Sequence, residues 1–142
     1  MIPNEANLNL GMIGNCTISA LIDAQARIVW CCMPRFDSDP VFHALLDSAD
    51  GIGEEGSFQV VLDGCVRTEQ AYDENTAILR TRLFDHRDNA VEVTDFAPRF
   101  MRHERSFHPM QLVRRVRPLQ GSPRIRIVLR PRADWGRTTP SR

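Results

Sequence analysis

The sequence has no lysine; its 18 basic residues are all arginine, set against 18 aspartates and glutamates. The bias reads as genomic composition and carries no functional weight. The one glycine-rich loop, Asp50–Gly56, therefore has no lysine and leads into no helix, so it is not a phosphate cradle. Nowhere does the chain approach the ~20 consecutive apolar residues of a membrane span, and no membrane partner is expected. Cysteine is sparse: Cys16, Cys31, Cys32 and Cys65 form no C-x-x-C, and no histidine stands at zinc-finger spacing from a pair. Vicinal Cys31 and Cys32 would point to opposite faces of a strand, so no metal and no cofactor are expected. A G-x-S-x-G nucleophile elbow is missing too. The start, Met1–Glu5, lacks the basic and apolar regions of a signal peptide, which gives a cytoplasmic expectation with reduced thiols.

At 142 residues the chain suits a single domain over 1–142. It is too short for a (β/α)8 barrel, which takes ~250 residues, or for a large helical toroid. If it belongs to a large enzyme, it is a piece of one, whether a cut chain or a short gene. Its zero net charge hides a split. Residues 1–98 hold 6 arginines and 16 acids, whereas residues 99–142 hold 12 arginines and 2 acids. A basic half can meet nucleic acid, with affinity that falls steeply in salt. Alternatively, acidic and basic strands lie side by side and neutralise one another. The arginines alternate with apolar residues, which favours the second reading, and no nucleic-acid partner is expected.

Short apolar runs separated by turn residues dominate the rest. Ile18–Ile22 and Arg27–Met33 flank the polar break Asp23–Ala26 and read as a hairpin. Strands are predicted at Ser57–Leu62, Val66–Tyr72, Ala77–Phe84, Ala90–Phe96, Met110–Arg117 and Arg124–Leu129. Residues 101–108 read as a polar connection. Asp37 or Ser38 as a cap, Pro40 in a first turn, and apolar residues at 41, 42, 45 and 46 predict one short helix near 40–47. About eight strands with one helical interruption predict an all-β fold, an antiparallel β-sandwich of the supersandwich type.

One stretch is more specific than any pattern. Trp30–Cys31–Cys32–Met33–Pro34–Arg35–Phe36–Asp37–Ser38, continuing through Val41–Phe42 to Leu45–Leu46–Asp47, resembles W-x-C-x-P-R-F-D-S-x-x-V-F-x-x-L-L-D. That signature belongs to the N-terminal domain of bacterial family 15 glycoside hydrolases, the glucoamylase-like and trehalase-like enzymes. Gly11–Asn15 with Ser19–Ile22, Val91–Pro98 and Arg132–Arg137 are similar to further blocks of the family, in order; Tyr72, Asn75 and Leu79 match another weakly. Cys31 stands where the family has leucine, Val29 where it has aspartate, and Ala133 where it has phenylalanine. The resemblance implies a non-catalytic sandwich that packs on an (α/α)6 barrel of the same parent chain. In that barrel two glutamates outside this sequence invert α-glucosidic bonds, so the α-glucoside is met only through the parent. Glucoamylase, trehalase and glucodextranase activities stay open at this point.

Within the chain no catalytic residue is expected. Candidates for the interface or the substrate rim are Arg35, Phe36, Asp37, Trp135 and Arg137. Arg35 and Asp37 read either as an ion pair pinning their loop or as groups facing the barrel. Trp30, mid-strand among apolar neighbours, is expected in the core; Trp135 reads as a sugar platform or as a domain contact. The pairs Asp37/Asp39 and Glu54/Glu55 could in principle do acid–base work, but nothing in the sequence pushes their pKa values apart. An isolated domain would expose a face made to be buried, so a homodimer is expected of it. A stand-alone binding sandwich is the alternative function, disfavoured by the count of only ten aromatic residues.

Overall fold

The computed structural model describes residues 8–46 and 55–137. Among these the chain runs β1 (Leu10–Gly14), β2 (Ser19–Asp23), β3 (Ile28–Cys32), β4 (Pro40–Phe42), β5 (Ser57–Leu62) and β6 (Cys65–Tyr72). It continues through β7 (Leu79–Asp85), β8 (Ala90–Phe96), β9 (Phe100–Arg102), β10 (Arg105–Phe107), β11 (Val113–Gln120) and β12 (Ile125–Arg130).

Aspartates at strand ends make the turns. After β2, the Asp23 carboxylate accepts backbone N–H bonds from Gln25 and Arg27, and Ala26 takes a φ of 60°. After β7 the same device returns: Asp85 accepts from Arg87 and Asn89, with Asp88 at a φ of 61°. A short carboxylate that satisfies the N–H groups ahead of it stands in for a longer loop. The Asp63–Gly64 turn does something else. It carries the chain from β5 in one sheet to β6 in the other, with Gly64 at a φ of 68°. A Cβ there would be strained and would meet the His86 ring at 2.7 Å.

One sheet has the order β1-β2-β3-β5-β12; β4 shares the β3 edge with β5, pairing at Cys31 and Cys32 while β5 pairs at Ile28. The other has the order β11-β8-β7-β6, and β9 with β10 forms a separate hairpin. Every strand pair is antiparallel. The sheets meet through Ile13, Ile22, Ile28, Cys31, Phe42 and Leu79 at one end, and through Leu62, Leu83 and Val91 at the other. Burial pushes the Cys31 thiol up to about 12, so it packs as a small apolar group.

The all-β sandwich expected from the strand spacing is the architecture found. Its helical interruption is a single 3-10 turn, Ala44–Leu46, because Pro40–Phe42 is drawn into the sheet as β4. Position 47, the end of the expected helix, lies outside the described residues. The polar connection expected at 101–108 is instead the β9–β10 hairpin, in which Phe100 and Phe107 stack at 5.8 Å. Part of the charge split is met across neighbouring strands, where Arg114 and Arg117 of the basic stretch pair with Asp95 and Glu92 of the acidic one. Glu92 on β8 receives bonds from Arg80 and Arg82 on β7 and from Arg117 on β11. Asp95 on β8 is held by both arms of Arg114 on β11, at 2.7 and 3.0 Å.

Candidate functional site

The loop between β3 and β4 begins at a cis Met33–Pro34 bond and folds into a tight turn. The Arg35 N–H donates to Ser38 Oγ, and the Ser38 N–H to the Arg35 carbonyl. Ser38 thus closes a turn and caps no helix. Arg35 grips Asp37 with its fork, Nε to Oδ1 at 2.9 Å and Nη2 to Oδ2 at 2.8 Å. Both side chains are more than half exposed, so the pair stiffens the loop from outside the core. Phe36 between them is 60% exposed. Its backbone N–H donates to the Thr17 carbonyl, which ties the loop to the turn between β1 and β2.

That turn is organised by Asn15, which is almost fully buried. Its amide nitrogen donates to the carbonyls of Pro98 (3.0 Å) and Pro109 (2.7 Å), while its Oδ1 accepts from the N–H groups of Thr17 and Ile18. One side chain holds three segments distant in sequence and fills its hydrogen-bonding capacity. Sequence reasoning had Asn15 only as part of a family block; an Asn directly after a strand-ending Gly was the local signal of a turn. Thr17 Oγ1 adds a contact to His108 Nδ1 and donates to the His108 carbonyl. Two open clefts flank the turn. One, about 330 Å³, lies beside Phe36, Met12 and Cys16; the other, about 570 Å³, lies beside Asn15, Phe96, Pro98 and Phe100. Exposed Met12, Phe36, Phe100, Met101, Phe107 and Met110 make this end of the sandwich apolar at its surface.

Trp135 and Arg137 are anchored elsewhere. The Arg132 N–H donates to the Val41 carbonyl and brings the chain back to β4. Asp134 and Trp135 then take left-handed φ values of 49° and 54°. The Trp135 ring, 56% exposed, lies 6.2 Å from the Trp30 ring at 49°. Trp30 is accordingly half-buried under another aromatic and does not sit in the core where mid-strand apolar neighbours had placed it. Arg137 is exposed beyond this pair. The structure thus joins Arg35 with Asp37, anchors Phe36 on the β1–β2 turn, and anchors Trp135 on β3.

As chemistry, the loop offers recognition more than reaction. Asp37 is an accepting carboxylate committed to an arginine. Glu55 pairs with Arg132 at 2.6 Å, and Glu54 lies outside the described residues. Among the described residues, the carboxylates with displaced pKa values are displaced downwards: Asp73 by its bonds from Arg80, Asp85 by its bond from Asn89. At Glu92 burial pulls upwards, but Arg82, Arg117 and Arg80 together outweigh it. A general acid needs the opposite displacement. Among the described residues, no group of three or more His, Cys, Asp or Glu side chains is placed to hold a metal ion.

Comparison with known proteins agrees with this anatomy. The family described as "Trehalase-like, N-terminal" matches residues 6–141. A protein named Trehalase from Thermoplasma volcanium is 32% identical over 90 residues, covering 62% of this chain and 14% of that protein. Trehalase 1 from Sulfolobus acidocaldarius is 38% identical over 89 residues, covering 63% of this chain and 15% of that one. The chain therefore aligns with about one seventh of the length of these relatives. No solved structure matches it. With a match along nearly its whole length, the chain belongs to the family of trehalase-like N-terminal domains.

Proposed function

We propose that this sandwich is the non-catalytic N-terminal domain of a family 15 type glycoside hydrolase acting on α-glucosidic bonds, with trehalose the foremost substrate. It packs on an (α/α)6 catalytic barrel of the same parent chain and shapes the entrance to its site. Hydrolysis there is by inversion, which requires two carboxyls ~6.5–9.5 Å apart with a water between them. The observation that carries the reading is the alignment with one seventh of proteins named trehalases, over a domain in which, among the described residues, the displaced carboxylates are tuned away from acid catalysis.

The face turned to the barrel is the end bearing Arg35, Phe36 and Asp37, with Trp135 and Arg137 as a second contact at the rim. Exposed methionines and phenylalanines suit a surface that is covered in the whole protein. The same end pairs two copies when the domain is isolated, which light scattering at rising concentration tests. The setting is cytoplasmic, in keeping with Cys31 and Cys32 packed as buried thiols. The 142-residue chain alone should not turn over trehalose, maltose or starch. Hydrolysis that survives purification and is lost in Asp37→Asn would reverse the assignment.

A second reading has one observation in its favour. Trp30 and Trp135 form a tilted, half-exposed aromatic pair of the sort that stacks on a pyranose ring, which suits a carbohydrate-binding module. Quenching of tryptophan fluorescence by maltooligosaccharides, lost in Trp135→Ala, would favour it; silence would leave the pair as a domain contact.

A further inference from the structure

Among the described residues the first sheet has two edges, β1 and β12, and they differ in what guards them. At β12 the second sheet closes over β5, where the Arg114 guanidinium lies 4.8 Å from the Phe58 ring, and the stripe Ile125, Ile127 and Leu129 stays exposed. Charge disfavours a second copy there. In a two-fold antiparallel pairing centred on Ile127, Arg124 falls opposite Arg130. Strand β1, Leu10–Gly14, holds no charge. It is shielded instead by one side chain of the second sheet. Tyr72, the last residue of β6, accepts the Met12 N–H at 2.7 Å with its hydroxyl and donates to the Met12 carbonyl at 2.8 Å. A phenol that both accepts and donates makes the two bonds that a neighbouring strand would make with that residue.

Met12 stands opposite Leu21 of β2, yet its N–H and C=O are taken by Tyr72, so they point away from β2 and towards the open side. Along a strand the polar groups of every second residue share a side, which makes Leu10, Met12 and Gly14 the pairing edge. That edge complements itself. In a two-fold antiparallel pairing centred on Met12, Leu10 falls opposite Gly14, Gly11 opposite Ile13, and Met12 opposite itself, large against small with no like charges. The exposed Met12 side chains of the two copies would meet beside Leu21 of each and carry one apolar row across the joint. An open cleft of about 330 Å³ already borders Met12, Ile13 and Gly14. We propose that β1 is a latent self-pairing edge whose partner is β1 of a second copy, and that the Tyr72 hydroxyl holds it shut by occupying Met12. The proposal is independent of the glycosidase reading.

Amide hydrogen exchange and sedimentation of the 142-residue chain test this together. In dilute solution Tyr72→Ala should speed exchange at the Met12 amide by about tenfold or more. As concentration rises, that variant should dimerise at least about tenfold more tightly than the unaltered chain, and protection should return at Leu10, Met12 and Gly14 together. Adding Met12→Lys sets like charges against each other at the two-fold axis and should abolish the dimer. Should Tyr72→Ala fail to fold, Tyr72→Phe, which loses only the hydroxyl, supplies the same two readouts. Unchanged exchange at Met12 in the dilute variant, a variant that stays monomeric into the millimolar range, or a dimer that survives Met12→Lys would each overturn the proposal. So would protection that returns around Phe36 and not at Met12, which is pairing through the apolar end.

Discussion

Arg114–Asp95 and Arg35–Asp37 are the same chemistry in two settings. In each a guanidinium fork grips one carboxylate with two bonds of 2.7–3.0 Å. The first is sealed between β11 and β8, its side chains 3% and 0% exposed; the second stands in the loop before β4 at 68% and 53%. Sealed from water, a charge that loses its partner has nothing to replace it. Exposed, water takes over and little stability is lost. The buried pair therefore holds strands together, whereas the exposed pair shapes a surface. Its contribution to the fold is small.

Breaking the buried pair should have the largest effect. Asp95→Ala leaves the buried Arg114 without its counter-charge, holding only the Phe58 carbonyl, and should cost about 3–5 kcal/mol in urea unfolding. A loss below about 1 kcal/mol would mean water reaches this pair and would erase the contrast. Asn15→Ala comes next. It strips two carbonyls and two N–H groups of their partner, a cost of roughly 2–3 kcal/mol if the turn does not rearrange. Hydrogen exchange should then quicken first around Thr17 and His108, since their contact depends on the same turn.

Acid sharpens the comparison. Glu92 has a folded pKa below its ordinary value of 4.5, and those of Asp73 and Asp85 lie below 3.8. A depressed carboxylate contributes fully above its unfolded pKa and loses that contribution as pH falls through the folded one. Stability should thus be level with respect to these groups above pH 5 and decline below about pH 4.5. Glu92→Gln should flatten part of that decline and cost about 1–2 kcal/mol at neutral pH. An unchanged slope would remove Glu92 from the acid response. The smallest stability effect belongs to Arg35→Ala, at most about 1 kcal/mol. In a full-length relative it should lower turnover more than it lowers melting temperature. If melting falls while turnover holds, the loop is only a pinned turn.

Much of this was written locally. Asp23 and Asp85 announce their turns, since a strand-ending aspartate can satisfy the next N–H groups by itself. The alternation in Ile78–Phe84 gave a strand with one wet and one dry face, whereas in Arg124–Arg130 the expected dry side chains Ile127 and Leu129 are exposed and Val128 is buried; the block Trp30–Asp47 carried the family. The Arg35–Asp37 grip spans two residues and was among the readings such proximity permits.

Other features needed partners that no local pattern reveals. Pro40–Phe42 has the apolar spacing of a helix start, and only the open side of β3 makes it a strand. Trp30 looked like core until Trp135, some hundred residues on, came to cover it on the outer face. Asn15 is ordinary in sequence and central in space, because Pro98 and Pro109 reach it from more than eighty residues away. The stripe on β12 shows the limit most plainly. Sequence alone determined that Ile125, Ile127 and Leu129 share one face, because a strand has a period of two. Whether that face is covered depends on how far the opposite sheet extends, and that is settled by packing between strands distant in the chain.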